Sequence, residues 1–281
     1  MTNSPILILG GAGKTGRRVA TQLDAKGVDF RLASRSSEPR FDWHDESTWS
    51  GAVRGSDTVY LAPPVDPVGL DAAGRFVKRA ADDGLRRLVL LSGRGVGSPG
   101  RDFEVYDASL MLEHAVQASG LDWTIVQPAW FMQNFSEDFL HDHVTAGELR
   151  VSAGDGAEAW IDTDDVGDVM TEALLDDRHV GATYALSGPR LLTMAEVAAA
   201  LSAATSRPVE YVALEPADHV AELVDFGLPQ PDAEALRDLF AVIRHHRSEY
   251  LSDGVQRVLG REPRDFADWA RTSAASGAWG G

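Results

Sequence analysis

The chain has 281 residues, of which 44% are hydrophobic and 25% charged, a composition typical of a folded globular protein and not of a disordered or fibrous one. It contains no cysteine, which excludes disulfide frameworks, thiolate zinc sites, iron–sulfur clusters and cysteine nucleophiles. The 43 acidic and 26 basic residues give a net charge of -17, which repels a phosphate backbone and argues against nucleic-acid binding.

No segment reaches the run of about 18 apolar residues that spans a bilayer. The N-terminal residues 1–5 carry no basic side chain, and the apolar run that follows ends at Leu9, so a signal peptide is not expected. We therefore expect a cytoplasmic protein without membrane association, whose partner is a small-molecule substrate. The sequence leaves open whether the chain is a monomer or a homodimer.

In the first half, short apolar runs alternate with amphipathic stretches, which predicts parallel strands joined by helices. The predicted helices each end near a glycine placed as a C-cap, namely Gly27, Gly84 and Gly120. The fold class is therefore α/β, with a doubly wound parallel sheet. The predicted strands are 6–9, 28–33, 58–62, 88–92 and 123–127, and the predicted helices are 14–26, 68–83 and 104–119.

After Pro128 the regular alternation ends. The clearest element is a helix over 194–204, opened by a capping box between Thr193 and Glu196. We expect residues 1–128 to form a nucleotide-binding domain, 129–271 a smaller C-terminal α/β substrate lobe that shares a border with the sheet, and 272–281 a flexible tail. The other elements predicted here are helices over 164–175, 232–247 and 264–270 and a strand over 183–186.

A glycine-rich loop directly follows the first strand and opens the first helix. Gly11, Gly13 and Gly16 fit the GxGxxG pattern, and Gly10 adds a further glycine. Glycines allow a tight turn, close approach of the backbone to a pyrophosphate and packing of helix on sheet, while the helix N-terminus offers N–H groups to the phosphates. The loop predicts a Rossmann-type dinucleotide site, to which Lys14 and Thr15 also contribute.

The end of the second strand indicates which dinucleotide binds. NAD sites place an Asp or Glu there for the ribose 2′-hydroxyl, whereas this strand ends in Ser34 and Arg35. A guanidinium in that position pairs with a 2′-phosphate, so NADP(H) is the expected cofactor. The alternative is that Arg35 is a solvated surface residue.

Besides the glycine loop, the chain has distinctive motifs at residues 41–43 and 48–49, 119–128, 160–162, 165–166 and 184–189. Together these motifs resemble the NmrA-like branch of the atypical short-chain dehydrogenase/reductases, and within it the subgroup of ergot-alkaloid reductases of the festuclavine synthase type. Members of this branch are reductases or redox-sensing regulators. The resemblance implies that the adenine lies near Asp42 and Trp43, and that the cofactor is lined by Ala62, Pro63, Pro64, Ser92 and Pro128.

The usual catalytic YxxxK pair of short-chain dehydrogenases is broken. Tyr106 stands at the expected place, but Leu110 occupies the lysine position, and the last of the three lysines is Lys78. Lysine-assisted proton transfer to a carbonyl oxygen is therefore excluded. Iminium ions, enones and quinones can accept hydride without that lysine. Tyr106 is kept as a candidate proton or hydrogen-bond donor, against the alternative of a tyrosine packed at a helix start. Gln127 stands where an arginine is common in the wider branch.

An aromatic segment follows the fifth strand and is expected at the carboxyl end of the sheet. Trp130, Phe131, Asn134 and Phe135 are the candidate substrate-binding residues, although core packing explains them equally well. His141 and His143 are two residues apart on a predicted helix, which does not make a metal site. The sequence thus predicts an NADPH-dependent reductase of a small aromatic or heterocyclic iminium, enone or quinone. The alternative is a non-catalytic NADP(H)-binding redox sensor.

Overall fold

The computed structural model describes residues 4–64, 66–98 and 104–280. Its strands are β1 (Ile6–Leu9), β2 (Phe30–Ala33), β3 (Thr58–Leu61), β4 (Arg87–Leu91), β5 (Asp122–Pro128), β6 (Glu148–Val151), β7 (Ala157–Glu158), β8 (Ala182–Leu186), β9 (Leu192–Thr193) and β10 (Glu210–Ala213). Its helices are α1 (Lys14–Ala25), α2 (Trp49–Val53), α3 (Pro67–Asp82), α4 (Glu104–Gln117), α5 (Asn134–Glu137), α6 (His141–Ala146), α7 (Thr163–Leu175), α8 (Met194–Thr205), α9 (Pro216–Asp225), α10 (Gln230–Arg244), α11 (Gly254–Leu259) and α12 (Phe266–Ala275). Two short 3-10 helices span Glu46–Thr48 and Asp177–His179.

The chain forms two compact units. Unit 1 comprises Met1–Pro128, Thr163–Leu186 and Asp253–Arg261, and unit 2 comprises Ala129–Asp162, Ser187–Ser252 and Glu262–Gly281. The first transition coincides with the expected boundary after Pro128. Two later segments, which were expected in the smaller lobe, belong to unit 1. Thr163–Leu186 supplies α7 and the edge strand β8, and Asp253–Arg261 supplies α11, which packs against both.

Unit 1 is built on a six-stranded sheet in the order β2-β1-β3-β4-β5-β8, and every pairing in it is parallel. β1 and β3 are buried on both faces, as expected for a sheet covered by helices on each side. α2, α3 and α4 pack on one face around Leu7, Leu61 and Leu90. α1 and α7 pack together against the other. This confirms the predicted doubly wound α/β class.

Most sequence-predicted elements of unit 1 are confirmed to within a few residues, and β1 matches its prediction residue for residue. Gly27, Gly84 and Gly120 follow their helices with positive φ values of 65°, 92° and 76°, a conformation that a side chain disfavours. In unit 2, the Thr193–Glu196 capping box is also confirmed.

Unit 2 has two small sheets, a parallel β6–β10 pair and an antiparallel β7–β9 pair, packed with α8, α10 and α12 around an aromatic core. The expectation of a flexible tail over 272–281 is wrong. α12 continues to Ala275, and the Trp279 side chain is buried, with its indole N–H donating to the Phe135 carbonyl at 2.7 Å. The C-terminal segment of small residues is thus held to the core of unit 2 by the Trp279 side chain.

No helix within the described ranges is both long enough and apolar enough to cross a membrane.

Candidate functional site

The glycine loop follows β1 at the point where the strand order reverses, with β2 on one side of β1 and β3 on the other. In open α/β sheets, this switch point is where ligands bind. Gly10 has a φ of 85°, and a Cβ added to it would lie 2.9 Å from the Ala62 Cβ after β3. A Cβ at Gly16 would lie 2.3 Å from the Gly10 carbonyl oxygen. Side chains at Gly10 and Gly16 would therefore collide with Ala62 and with the loop itself, so this tight turn requires glycine at both positions.

The N-terminus of α1 supplies the donors of this cradle. Gly13 is the N-cap residue, no side chain caps the helix, and its first turn contains no acidic residue. The backbone N–H groups of Lys14 and the residues after it are thus directed toward an anion without a competing carboxylate. The loop is closed by a hydrogen bond from the Gly13 N–H to the Gly10 carbonyl at 3.0 Å.

The Thr15 side chain is hydrogen-bonded within the protein and is therefore not a direct cofactor contact. Its hydroxyl is hydrogen-bonded to the Tyr60 hydroxyl of β3 at 2.7 Å, and both side chains are buried. Burial raises the pKa of Tyr60, which keeps this phenol protonated at neutral pH. The bond ties α1 to the sheet beneath the loop, so Thr15 has its backbone N–H to offer a phosphate.

The loop after β2 exposes Ser34 and Arg35. The Ser34 N–H donates to the Ser37 hydroxyl at 2.7 Å, and the Ser34 carbonyl accepts from the Phe41 N–H at 2.8 Å, so the turn is fixed by its own hydrogen bonds. Across the described ranges, no carboxylate pairs with the Arg35 guanidinium. A cation on a fixed turn beside the nucleotide loop is suited to a 2′-phosphate.

Asp42 and Trp43 are held in a wall beside this turn. The Asp42 carboxylate accepts from the His44 N–H at 3.1 Å and from Arg40 at 2.8 Å, and these bonds lower the pKa of Asp42. The half-buried Trp43 ring packs edge-on against Phe41 and Phe76. Both residues are therefore fixed in place, and Arg40 is a second guanidinium near the turn that the sequence analysis did not single out.

Ala62, Pro63 and Pro64 follow β3 and are half-buried. The Ala62 N–H donates to the Leu9 carbonyl at 3.2 Å, which extends the β1–β3 pairing up to the glycine loop. Pro64 lies against Gly69 in the first turn of α3. Pro128, at the end of β5, is buried, and its carbonyl accepts from the Arg94 N–H at 2.9 Å.

A buried carboxylate missed by the sequence analysis stands beside Ser92. Glu113 of α4 is only 5% exposed. Its carboxylate accepts a hydrogen bond from the Ser92 hydroxyl and two from the Gln127 amide, at 2.8 and 3.0 Å. The available signal was its spacing, since Glu113 lies seven residues after Tyr106 and so on the same face of α4.

Tyr106 lies in the first turn of α4 and is half-buried. Leu110, one turn later, lies against Gly97, where an added Cβ would be 3.2 Å from the leucine. An apolar side chain thus occupies the position from which a lysine would lower the pKa of the tyrosine.

The aromatic residues after β5 belong to unit 2. Phe135 is fully buried against Trp160 and Phe266, so it packs the core and cannot form a substrate wall. Asn134, another candidate, is also buried, with 6% of its surface exposed. Trp130 and Phe131 are half-buried, and they are pinned by the hydrogen bond from the Ile161 N–H to the Trp130 carbonyl at 2.8 Å. These two remain the candidates for contact with a substrate.

The fold and the glycine cradle define a dinucleotide-binding α/β protein. A family model described as NAD(P)H-binding matches residues 10–177. An NAD(P)H azoreductase of Xenophilus azovorans is 30% identical over 96% of this chain and 98% of its own length. Agroclavine dehydrogenase of Claviceps fusiformis is 32% identical over 94% of this chain and 95% of its own length.

The crystal structure of Nmra, a negative transcriptional regulator in complex with NAD, has the same fold. It matches with a TM-score of 0.75 at 17% identity, over 98% of this chain and 97% of that one. The chain belongs to the NAD(P)H-binding family. The expected resemblance to ergot-alkaloid reductases is confirmed by agroclavine dehydrogenase, and the Nmra structure confirms the fold.

Proposed function

We propose that this protein is an NADPH-dependent reductase that transfers hydride to a small aromatic or heterocyclic iminium, enone or quinone. When bound, NADPH supplies the hydride. The glycine loop supports binding of its pyrophosphate, because the tight turn that Gly10 and Gly16 allow leaves the backbone N–H groups at the start of α1 open to a phosphate. The curated relatives support reductase activity, since one is an azoreductase and another acts on an ergot alkaloid, agroclavine.

Selection of NADPH over NADH rests on Arg35. Its exposed guanidinium stands at the end of β2, where an NAD site needs a carboxylate for the ribose 2′-hydroxyl. A 2′-phosphate instead accepts charge-assisted hydrogen bonds from arginine. The neighbouring Ser34 and Ser37 fix the turn that presents Arg35.

The substrate class rests on one observation, the apolar Leu110 at the position of the usual lysine. A simple ketone needs a proton at its oxygen as hydride arrives, and no lysine stands four residues after Tyr106 to help to supply one. An iminium carbon already carries positive charge, so hydride addition gives a neutral amine with no proton transfer. A quinone or enone takes its proton from water after the hydride has been added.

Turnover of a substrate panel tests this proposal. We expect NADPH oxidation with a cyclic N-alkyl iminium and with a naphthoquinone, and a rate at least about tenfold lower with a cyclohexanone of similar size. A Tyr106→Phe variant should keep more than half of the wild-type kcat for the iminium. Faster turnover of the ketone, or loss of iminium turnover in Tyr106→Phe, would refute this mechanism. NADP(H) binding without turnover of any electrophile would favour the sensor.

A further inference from the structure

The buried carboxylate of Glu113 has no evident structural necessity. It is 5% exposed, and its partners are the neutral Ser92 hydroxyl and Gln127 amide. Within the part of the chain that the structure describes, no cationic side chain pairs with it. Burial of an ionised carboxylate without a counterion opposes folding, and an apolar side chain would fill the same space with less opposition.

The position of Glu113 connects it to the ligand edge of the sheet. Ser92 follows β4 directly, and Gln127 is the penultimate residue of β5. Both therefore lie at the carboxyl ends of their strands, the same edge at which the glycine loop follows β1. In such sheets, this edge holds the dinucleotide. Glu113 reaches the edge from α4, the helix that also carries Tyr106.

The hydrogen bonds set what this edge presents to a ligand. The Ser92 hydroxyl donates a hydrogen bond to the Glu113 carboxylate, so the oxygen of Ser92 keeps its lone pairs as acceptors. Gln127 donates its amide to both carboxylate oxygens, which fixes the carboxylate in one orientation. The result is a fixed negative charge with an acceptor hydroxyl in front of it.

We propose that Glu113 is a positioning residue whose charge stabilises the oxidised, positively charged nicotinamide ring of NADP+. This inference rests on the proposed function. Bound at this edge, NADPH would supply the hydride with its electron pair for the new C–H bond of the substrate, and NADP+ would carry one more positive charge on its ring than NADPH. Glu113 exchanges no proton in this step. Its fixed charge favours the cation before the substrate arrives, which promotes hydride donation.

The ratio of the Kd for NADP+ to the Kd for NADPH tests this role without any substrate. Glu113→Gln keeps the shape and the acceptor for Ser92 but removes the charge. We expect this ratio to rise about tenfold, which corresponds to a loss of about 1.4 kcal/mol of attraction between the carboxylate and the cation. Gln127→Arg keeps the carboxylate but places a counterion beside it, so this variant should also raise the ratio.

Two controls separate charge from local structure. Leu112→Ala removes buried packing from α4 next to Glu113 but keeps the charge, and should leave the ratio within about twofold of wild type. Asp122→Asn removes a negative charge at the exposed opposite end of β5, and should leave it unchanged. All variants are titrated as the full chain, with NADPH fluorescence and with NADP+ competition.

An unchanged ratio in both Glu113→Gln and Gln127→Arg, with both nucleotides still bound, would overturn the role of Glu113 and leave the reductase proposal intact. An equal rise in Leu112→Ala would also overturn it, since disturbed packing of α4 and not the charge would then be responsible. Failure of the unmodified chain to bind either nucleotide would refute both proposals together.

Discussion

The two units differ in where they keep the residues that the sequence marks as functional. In unit 1, the glycine loop, Ser34 and Arg35 lie at or near the surface at the strand ends, and the buried Glu113 reaches the same edge through Ser92. In unit 2, Phe135 and Trp160 are packed into an aromatic core. Residues that the sequence predicts as ligand contacts therefore lie at the strand ends in unit 1, whereas Phe135 of unit 2 packs the core.

This difference predicts two kinds of mutational response. Changes at the strand ends of unit 1 should alter nucleotide binding with little loss of stability, because these side chains support little of the core. Changes in the aromatic core of unit 2 should lower stability with little effect on nucleotide affinity. The following predictions test that contrast, from the largest expected effect to the smallest.

Gly16→Ala should reduce NADPH affinity by at least about 100-fold, because its Cβ would lie 2.3 Å from the Gly10 carbonyl oxygen and force the glycine loop to change shape. Gly51→Ala in α2 is the matched control, since nothing lies within 4 Å of a Cβ there. That control should keep wild-type affinity. NADPH titration of both variants is the measurement, and near-normal binding by Gly16→Ala would place the nucleotide elsewhere.

Trp279→Ala should lower the free energy of unfolding by about 3 kcal/mol, because it removes a buried indole from the core of unit 2. Trp279→Phe keeps most of the packing and loses the hydrogen bond to Phe135, and should cost about 1 kcal/mol. Urea unfolding measures both. NADPH affinity should stay within about twofold, and a stable Trp279→Ala protein would show that the C-terminal segment is not part of this core.

Arg35→Ala should weaken NADPH binding by about 10- to 100-fold, the range for charge-assisted hydrogen bonds to a phosphate. NADH binding should change by less than about twofold, since NADH lacks the 2′-phosphate. Arg86→Ala, an exposed arginine next to the amino end of β4, is the control for loss of one positive charge. Equal losses for both nucleotides in Arg35→Ala would remove Arg35 from cofactor selection.

His219 should make unit 2 sensitive to acid. Burial lowers the pKa of His219 to about 4, and His143, Glu222, Ser152 and the Phe240 ring are its neighbours. The unfolded chain takes up this proton near its ordinary pKa of about 6.5. The stability that the neutral imidazole contributes is therefore complete above about pH 6.5 and is lost as the pH falls toward 4.

The loss should amount to about 2 kcal/mol between pH 7 and pH 4.5, measured as the difference between wild type and His219→Gln in urea unfolding. His245→Gln, at an exposed position after α10, should follow the wild-type curve. Parallel curves for wild type and His219→Gln would show that this histidine is not neutral in the fold.

The sequence predicted the local features well and the long-range ones poorly. β1, the glycine C-caps and the Thr193 capping box follow from neighbouring residues, and the structure confirms them. The Glu113 site joins α4 to residues 21 positions earlier and 14 positions later, so the sequence shows only that Glu113 shares a helix face with Tyr106 and does not show its partners. The burial of Trp279 against Phe135, 144 residues away, likewise depends on tertiary packing.

The most direct test of the central claim is transfer of deuterium from NADPH labelled at C4 of the nicotinamide. The two C4-labelled epimers are incubated separately with the protein and a cyclic iminium, and the amine product is analysed by mass spectrometry. The account predicts that the product gains one deuterium from one epimer and none from the other. Amine formation without label from either epimer, or no amine at all, would contradict hydride transfer by this protein.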